Sequence, residues 1–464
     1  MTITLLTGDC RSILPTLASN SVHCVVTSPP YYGLRDYGTA LWDGGDAECD
    51  HVKTVYKPQS YADGKAAVGK SCMSWRGGER NQSEPYGDLC GKCGARRIDR
   101  QLGLESSPDA YIATMVAVFR EVRRVLRPDG VCFINMGDSY ASSGISGLNV
   151  SRSSATFHGG IADPRERRSK TVPSGLKPKD LLMMPARLAL ALQADGWWLR
   201  SAIVWAKPNP MPESCTDRPT SAYEMVYLLA KQSRYFYDAD AVRELGSDNT
   251  HPGRSDGNTS PKIQANRARR DGMSVTLSAD FSSRNLRNVW TLPTQSFSGA
   301  HFATYPPALV ERCIRAGTSE RGCCAACGAP WQRITDKTFV PQPDVSLQRG
   351  IKGAFDQKPM DASSGWDGFP RGTTQAVTTG WRASCQCNAD AVPCTVLDPF
   401  LGSGTSALVA DRLQRHCIGI DLSTTYADLA RNRIEADAPL FTSWAPAEDP
   451  EERAMRDLFA EAAE

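Results

Sequence analysis

The feature that most constrains the fold is a glycine-rich loop near the carboxyl end of the chain, between a predicted strand and a predicted helix. The strand begins at residue 395, and Gly402 and Gly404 follow it where the helix begins. Glycines at such a point let a ligand approach the backbone N–H groups of a helix N-terminus. Asp421 ends the next strand, about 20 residues beyond the glycines, where an acidic residue meets ribose hydroxyls in dinucleotide sites. The pattern predicts a nucleotide-type site in a doubly wound α/β sheet.

Taken alone, this loop fits more than one ligand. Gly402-x-Gly404-x-x-Ala407 also satisfies the nicotinamide fingerprint, so an oxidoreductase stays open at this point, as does a tight turn that merely needs glycine. The sequence has no G-x-x-x-x-G-K-[ST] segment, which argues against a nucleotide triphosphatase.

A second loop, Ser28-Pro29-Pro30-Tyr31, follows an apolar strand predicted at residues 22–26. Two consecutive prolines fix an extended backbone and hold its polar acceptors outward. An amine conjugated with an aromatic ring becomes nucleophilic only when its hydrogens are held. The Ser28 oxygen and the Pro29 carbonyl can accept those two hydrogens while Tyr31 stacks on the ring. The plainer alternative is a strand terminator with a packed tyrosine.

Composition excludes some classes and leaves others open. No apolar run approaches the roughly 20 residues of a membrane span, and the first six residues lack the basic flank of a secretory signal, so we expect a cytoplasmic chain. The formal net charge of +2 gives no overall sign of a polyanionic partner. Basic residues are concentrated at 165–179 and 262–287, so a nucleic-acid surface would be local.

Hydrophobic periodicity divides the chain into core segments and insertions. It predicts helices near residues 12–17 and at 111–126, 181–193 and 305–316, strands at 3–6, 131–135, 198–207 and 224–231, and a turn at 127–130. The expected order is a core segment at 1–37, a Cys-rich insertion at 38–108, core at 109–140, a flexible basic insertion at 141–180, core at 181–240, a polar basic segment at 241–298, a helix at 299–317, a second Cys-rich insertion at 318–393, core at 394–436 and an acidic tail at 437–464.

Together the two loops resemble motifs IV and I of amino-directed DNA methyltransferases, in the permuted order of the β group. Similar stretches include Gly8-Asp9, residues 126–135, 205–210, 223–224, 288–290 and 301–306. The resemblance implies a circularly permuted, Rossmann-like methyltransferase sheet that uses S-adenosylmethionine. The acceptor would be the exocyclic amino group of a base flipped out of double-stranded DNA. Ser28 opens the tetrad where many adenine enzymes of this kind carry aspartate, which favours cytosine N4 over adenine N6.

The resemblance also assigns roles to segments and residues. Residues 1–37, 109–140 and 181–240 would form the catalytic core, 241–298 the target-recognition segment, 299–317 the cofactor-pocket helix and 394–436 the cofactor-binding core. Ser28, Pro29, Pro30 and Tyr31 would hold the target base. The cofactor pocket would comprise Asp9 at the adenine amine, Asp421 at the ribose, Asp398, Phe400, Gly402, Ser403, Gly404 and Thr405 around the methionine part, and His301, Phe302, Ala303 and Pro306 as its closing wall.

Other interpretations stay open at this stage. The same sheet serves RNA and protein methyltransferases, and a zinc-bearing DNA-binding module with an inactive centre is a different class. A cognate restriction endonuclease is a further partner that such enzymes can have. The sequence identifies neither that partner, nor the recognition sequence, nor the oligomeric state.

Sixteen cysteines in a reducing compartment favour metal ligands over disulfides. Cys324 and Cys327 with Cys385 and Cys387 frame the second insertion, and Cys90 and Cys93 with Cys49 and His51 frame the first. Four soft ligands suit tetrahedral zinc, so we predict one or two structural zinc ions that shape DNA-facing insertions. Ordinary reduced thiols are the alternative, and Cys323 could replace Cys324. Cys394 follows a proline, as the nucleophile of cytosine C5 methyltransferases does, but it precedes the cofactor strand, so a structural role is expected.

Overall fold

The computed structural model describes residues 1–33, 41–46, 48–50, 89–90, 92–141, 176–245, 283–295, 304–341, 372–437 and 444. The α-helices are Cys10–Ile13 (α1), Pro108–Val125 (α2), Met184–Ala194 (α3), Pro307–Gly317 (α4), Thr405–Arg412 (α5) and Thr424–Asp437 (α6). The strands are Ile3–Thr7 (β1), Val22–Thr27 (β2), Leu41–Asp43 (β3), Arg96–Ile98 (β4), Leu126–Met136 (β5), Trp198–Ala206 (β6), Tyr223–Ala230 (β7), Glu244–Leu245 (β8), Ser283–Arg284 (β9), Val289–Thr291 (β10), Cys323–Cys324 (β11), Gln332–Pro341 (β12), Gly372–Arg382 (β13), Ala391–Val392 (β14), Thr395–Asp398 (β15) and His416–Asp421 (β16).

The central sheet has eight strands in the order β1-β16-β15-β2-β5-β7-β6-β10. Strands β1, β16, β15, β2 and β5 run parallel, and β7 is antiparallel to both β5 and β6. The carboxyl ends of the parallel strands therefore meet at one edge of the sheet. In open α/β sheets the ligand site lies outside those ends.

Helices cover both faces of this sheet. On one face α2 buries Tyr111, Met115 and Phe119 against apolar strand residues, with α1 and α3 beside it. On the other face α4, α5 and α6 form the second layer, which includes Val310 and Ile434. Each such large apolar side chain contributes about 1.5–3 kcal/mol when fully buried. The prediction of a doubly wound α/β sheet is confirmed, and the antiparallel strand β7 makes that sheet mixed.

Helix α2 begins three residues before the position predicted from hydrophobic periodicity, because its start is set by capping. The Ser107 side chain accepts a hydrogen bond from the Ala110 N–H at 3.1 Å, and Pro108 occupies the first helical turn. Asp109 in the first turn and Arg123 and Arg124 in the last turn complement the helix dipole.

The turn predicted at residues 127–130 is wrong, because strand β5 continues through this segment as an irregularity. Val22 pairs with Leu126 whereas Cys24 pairs with Val131, so β5 accommodates extra residues opposite β2. The Arg127 guanidinium donates to the Asp129 carboxylate at 2.9 Å, which closes the bulge locally.

The predicted insertions contain short sheets of their own. Strands β12 and β13 form a long antiparallel pair, and β11 pairs with β14. Strand β10, inside the segment assigned to target recognition, is instead the edge strand of the central sheet beside β6. Among the described helices, none is both long and apolar enough to cross a bilayer.

Candidate active site

The two loops singled out in the sequence lie side by side, because β2 and β15 are neighbours in the sheet. Val396 pairs with Cys24 and Leu397 with Val25, so both strands end at the same edge. The Thr27 hydroxyl donates to Asp398 Oδ1 at 2.6 Å across a sequence separation of 371 residues. Both side chains are buried. This hydrogen bond joins the residue before Ser28 to the residue that begins the glycine loop.

Asp398 is the centre of a buried hydrogen-bond cluster. Its carboxylate also accepts from the Phe400 N–H at 3.0 Å and the Tyr305 hydroxyl at 2.9 Å, and it contacts the Ser406 hydroxyl. Burial raises the pKa of Asp398, and these hydrogen bonds oppose that rise. Asp398 thus connects both loops to the start of α4, a role that the sequence did not indicate. Tyr305 and Ser406 were not singled out, although Tyr305 lies in one of the resembling stretches.

The glycine loop has the backbone geometry that its sequence predicts. Gly402 and Gly404 have φ values of 54° and 79°, in the left-handed region. A Cβ on Gly404 would lie 2.6 Å from Ala430 Cβ, so α5 and α6 pack closely only with glycine there. The Gly402 N–H donates to Asp421 Oδ2 at 2.8 Å, and the Ser423 N–H donates to Oδ1 at 2.8 Å. Burial raises the pKa of Asp421 to about 6.

The other predicted cofactor residues lie around this loop, with their side chains engaged in different ways. The Ser403 and Thr405 hydroxyls both accept hydrogen bonds from the Arg433 guanidinium, at 3.1 and 2.9 Å. Phe400 is partly buried, and Pro306 is buried at the N-cap of α4. His301, Phe302 and Ala303 lie outside the described residues.

Asp9 follows β1, whose end lies beside the end of β16. The Gly8 N–H donates to the Asp421 carbonyl at 2.8 Å, which places Asp9 close to the glycine loop. The Asp9 carboxylate caps α1 and receives three hydrogen bonds from the Arg11 side chain, the shortest at 2.7 Å. Arg11 in turn donates to the Arg100 carbonyl at 3.1 Å. Asp9 therefore lies at the predicted edge with its carboxylate already paired.

The charge distribution of this edge fits S-adenosylmethionine, which carries a sulfonium and an α-ammonium group. Asp398 and Asp421 are enclosed carboxylates whose pKa values are raised because burial increases the cost of ionising them. Within the described part of the chain, neither forms an ion pair with a basic side chain. A cationic ligand beside the two carboxylates would lower the free-energy cost of ionising them.

The Ser28–Tyr31 tetrad lies directly beside the glycine loop. Ser28 and Pro30 are partly buried and Pro29 is buried. The Pro30 carbonyl accepts from the Tyr111 hydroxyl at 2.9 Å, which anchors the loop on α2. The Tyr31 hydroxyl donates to Glu224 Oε2 at 2.7 Å. Glu224 lies at the start of the antiparallel strand β7, and the sequence offered no role for it.

The cysteines come together in the predicted groups. In the second cysteine cluster the sulfur atoms of Cys324, Cys327, Cys385 and Cys387 all lie within 4.8 Å of one another. Backbone N–H groups of Cys327 and Ala326 point at the Cys324 sulfur and lower the pKa of that thiol to about 7. In the first cysteine cluster Cys49, Cys90 and Cys93 are equally close. His51 lies outside the described residues.

The two cysteine clusters occupy different places. The second cluster docks at the amino end of β2, where His23 Nε2 contacts the Gly328 carbonyl at 2.9 Å and Arg127 donates to the Cys327 carbonyl at 2.8 Å. The segment that follows the first cluster instead reaches the catalytic loop, since the Gly33 N–H donates to the Gly103 carbonyl at 2.8 Å. The second cluster is thus at the opposite end of β2 from Ser28.

Cys394 and Cys323 lie near His23, and the three residues form a buried group. The Thr395 N–H donates to His23 Nδ1 at 3.0 Å, and His23 Nε2 contacts the Gly328 carbonyl. Both ring nitrogens are therefore engaged within the protein. Cys394 precedes β15 and so lies at the far end of that strand from the cofactor loop, in keeping with a structural role.

Comparison with known proteins shows which family the chain belongs to. The sequence model of the DNA methylase family, named for N6 and N4 methylation, matches residues 22–325 and 394–432. The chain belongs to this family. It is 31% identical to the Type II methyltransferase M.Cfr9I of Citrobacter freundii over 434 residues, 94% of this chain and 88% of that relative. It is 30% identical to the Type II methyltransferase M.SmaI of Serratia marcescens over 434 residues, 93% and 90% of the two chains.

Solved structures of DNA methyltransferases also resemble the chain. The cytosine-N4-specific PvuII DNA methyltransferase has a TM-score of 0.42 at 12% identity, over 97% of this chain and 96% of that one. A putative DNA modification methylase from Thermus thermophilus, solved with S-adenosyl-L-methionine, has a TM-score of 0.42 at 16% identity, over 97% and 100%.

Family membership confirms the prediction of an S-adenosylmethionine-dependent DNA methyltransferase that acts on an exocyclic amino group. The oxidoreductase, the RNA or protein methyltransferase and the inactive DNA-binding module are thereby set aside. The adjacency of the Ser28 loop and the glycine loop is the structural counterpart of this activity.

Proposed function

We propose that this DNA methylase methylates the N4 amino group of a cytosine flipped out of duplex DNA. The observation that carries the proposal is the buried hydrogen bond from Thr27 to Asp398, 2.6 Å long, which ties the Ser28 loop to the cofactor loop. A flipped base in this position has its amino group beside the pocket for the methyl donor. Extrusion costs a few kcal/mol, which stacking and hydrogen bonding offset.

The catalytic contribution of the protein is positioning of the amine. The Ser28 hydroxyl and the Pro29 carbonyl accept the two amino hydrogens, so the nitrogen lone pair turns out of the ring plane towards the methyl group. Tyr31 stacks on the base through its ring. S-adenosylmethionine, when bound, supplies the electrophilic methyl. Holding the amine in line with that methyl removes most of the entropic part of the barrier.

The cofactor assignments made from the resemblance are part of the proposal. Asp421 accepts hydrogen bonds from the ribose hydroxyls, Asp9 lies at the adenine amine, and Gly402 and Gly404 admit the methionine part. Their support is the open space at Gly402, where a Cβ would meet no atom within 4 Å, and the enclosed Asp421 carboxylate.

The choice of cytosine over adenine rests on Ser28 in place of aspartate. Its test is mass spectrometry of nucleosides from DNA of cells that express the chain, with Tyr31→Ala as the inactive control. We expect N4-methylcytosine that is absent from the control. N6-methyladenine without N4-methylcytosine would establish the alternative, an adenine N6 methyltransferase.

We also propose that each cysteine cluster binds a structural zinc ion. Four sulfurs around zinc at about 2.3 Å are about 3.8 Å apart, and the Cys49 and Cys90 sulfurs are separated by 3.8 Å. His51 completes the first site in this proposal. Metal analysis of the purified chain should give close to two zinc ions, and less than one per chain would favour ordinary thiols.

Two further aspects of the proposal concern topology and partners. The C-terminal strands β15 and β16 lie between the N-terminal strands β1 and β2, as expected for a circularly permuted sheet.

A cognate restriction endonuclease would recognise the same DNA sequence, as the Type II designation of the relatives suggests. DNA methylated by this chain should then resist cleavage by that nuclease, whereas DNA from Tyr31→Ala cells should be cut.

A further inference from the structure

The hydroxyl of Tyr31 forms part of a hydrogen-bond network that starts at Ser28. The Ser28 hydroxyl donates to Tyr31 Oη at 3.3 Å, and Tyr31 Oη donates to Glu224 Oε2 at 2.7 Å. Burial and the nearby Glu224 carboxylate raise the pKa of Tyr31 well above its ordinary value. Tyr31 is therefore neutral, and its proton is held towards Glu224.

Asn135 fixes the direction of these hydrogen bonds. Its Nδ2 group donates to Tyr31 Oη at 3.1 Å and to Glu224 Oε2 at 2.8 Å. A carboxylate can only accept hydrogen bonds, and the Tyr31 hydroxyl has a single proton, which it donates in the hydrogen bond to Glu224. The hydroxyl protons of Ser28 and Tyr31 therefore both point towards Glu224, which leaves the lone pairs of Ser28 Oγ for an incoming N–H group.

Lys207 and Gly137 hold Glu224 in place. Lys207 Nζ contacts Glu224 Oε1, with both side chains largely buried, and lies 4.5 Å from the centre of the Trp205 ring. A Cβ on Gly137 would lie 2.8 Å from Tyr31 Cε2 and 3.4 Å from Glu224 Cγ. The tyrosine and the carboxylate can approach each other because this residue is glycine.

We propose that Ser28, Tyr31 and Glu224 form a path that removes the proton released by the amino group during methyl transfer. The inference rests on the proposed function, in which Ser28 accepts an amino hydrogen. The amino nitrogen forms a bond to the methyl carbon, and the carbon–sulfur bond breaks with its electron pair left on sulfur. The nitrogen then gives its proton to Ser28 Oγ, the Ser28 proton passes to Tyr31 Oη, and the Tyr31 proton passes to Glu224 Oε2.

The chemistry of the amine makes a carboxylate a sufficient acceptor. Methylation leaves a positive charge on a nitrogen whose lone pair belongs to the ring, and such a cation is a strong acid. The contact with Lys207 holds the Glu224 carboxylate where it accepts from Tyr31. The Glu224 side chain is 16% exposed, and the proton leaves it for solvent through this exposed part before the next cycle. Glu224, Asn135 and Lys207 are positioning residues in this scheme.

The test measures single-turnover methyl transfer from tritiated S-adenosylmethionine to duplex DNA that contains the recognition sequence. Tyr31→Phe keeps the ring and removes the hydroxyl, and Glu224→Gln removes the acceptor charge. We expect each to slow transfer by about 100-fold, with the affinities for DNA and S-adenosylhomocysteine unchanged. The solvent deuterium isotope effect should exceed one in the parent and fall to about one in both variants.

Tyr32→Phe is the matched control, because Tyr32 is the next residue and packs on Tyr111 outside the path. It should keep the parental rate and isotope effect. A Tyr31→Phe variant with the parental rate would overturn the proton path while leaving the proposed function intact. If the parent transfers no methyl to an amino group, the proposed function itself fails. Glu224→Gln with weakened DNA binding and an unchanged isotope effect would assign Glu224 a structural role only.

Discussion

At the scale of single residues, the most informative groups are the enclosed carboxylates, whose pKa values are raised by burial. Asp421 has a pKa raised by burial to about 6 and accepts two backbone N–H groups. Because its folded-state pKa lies above the ordinary value of 3.8, its contribution to the free energy of unfolding declines as pH rises from about 4 to 6. The affinity of a ligand that binds only the ionised form of Asp421 would instead increase over the same pH range.

Cofactor affinity is therefore expected to increase with pH. If Asp421 accepts hydrogen bonds from the ribose, the affinity for S-adenosylhomocysteine should increase about tenfold between pH 5 and 7 and then level off. Titration calorimetry at several pH values measures this. Asp421→Asn should bind weakly with a flat profile, whereas Asp428→Asn, at an exposed position on α6, should keep the parental slope. A flat parental profile would exclude Asp421 as the linked group.

Thr27 tests the link between the two loops. Thr27→Val removes the hydroxyl that donates to Asp398 at 2.6 Å and leaves a buried carboxylate oxygen without that donor. The free energy of unfolding should fall by about 1–3 kcal/mol, as measured by urea denaturation. Thr27→Ser retains the donor and should lose much less. Equal losses in both variants would mean that the methyl group, and not the hydrogen bond, is what stabilises this position.

At the scale of elements, the contact between α5 and α6 depends on Gly404. Gly404 has a positive φ, and the Cβ of a Gly404→Ala variant would lie 2.6 Å from Ala430 Cβ. The substitution should therefore lower the free energy of unfolding by about 2–4 kcal/mol. Gly402→Ala also has a positive φ but meets no atom within 4 Å, so its loss should be about 1–2 kcal/mol. Thermal unfolding of both variants without cofactor separates two costs. Gly402→Ala measures the backbone strain alone, and Gly404→Ala measures that strain together with the clash against Ala430. Equal losses would mean that α6 shifts to accommodate the methyl group.

The cysteine clusters are expected to differ in their effects, because the second docks at the amino end of β2, whereas the segment after the first contacts Gly33 beside the Ser28–Tyr31 tetrad. Cys385→Ser in the second cluster should lower the Tm by about 5 °C or more and leave methyl transfer near normal at low temperature. Cys90→Ser in the first cluster should reduce methyl transfer more than it reduces the Tm, since the following segment contacts the catalytic loop. Calorimetry and transfer assays on the same samples measure both. The reverse pattern would contradict this division.

Sequence patterns predicted the elements whose signals are local. The strand, glycine loop and helix at residues 395–412 match, because apolar runs and positive-φ glycines depend on their immediate neighbours. The turn at residues 127–130 was wrong, since pairing with β2 keeps Pro128 and Gly130 within an irregular strand. Strands β12 and β13 were missed, because the sequence of this insertion has no clear alternation of apolar and polar residues.

At the scale of the whole molecule, the site residues found only in the structure are those that depend on distant partners. Tyr305 reaches Asp398 across 93 residues and Glu224 reaches Tyr31 across 193. No spacing rule covers such distances, whereas the two loops could be paired through their resemblance to known motifs. The tetrad and the glycine loop were thus predictable, but the groups that hold them in register were not.

During synthesis on a ribosome, β1 and β2 emerge long before β15 and β16, which fill the two places between them in the sheet. Until those strands arrive, β1 and β2 both carry unpaired edges, and Thr27 lacks the carboxylate that it later contacts. A chain terminated before Thr395 therefore has the Ser28–Tyr31 tetrad without the glycine loop. The two loops can come together only after both late strands have been made.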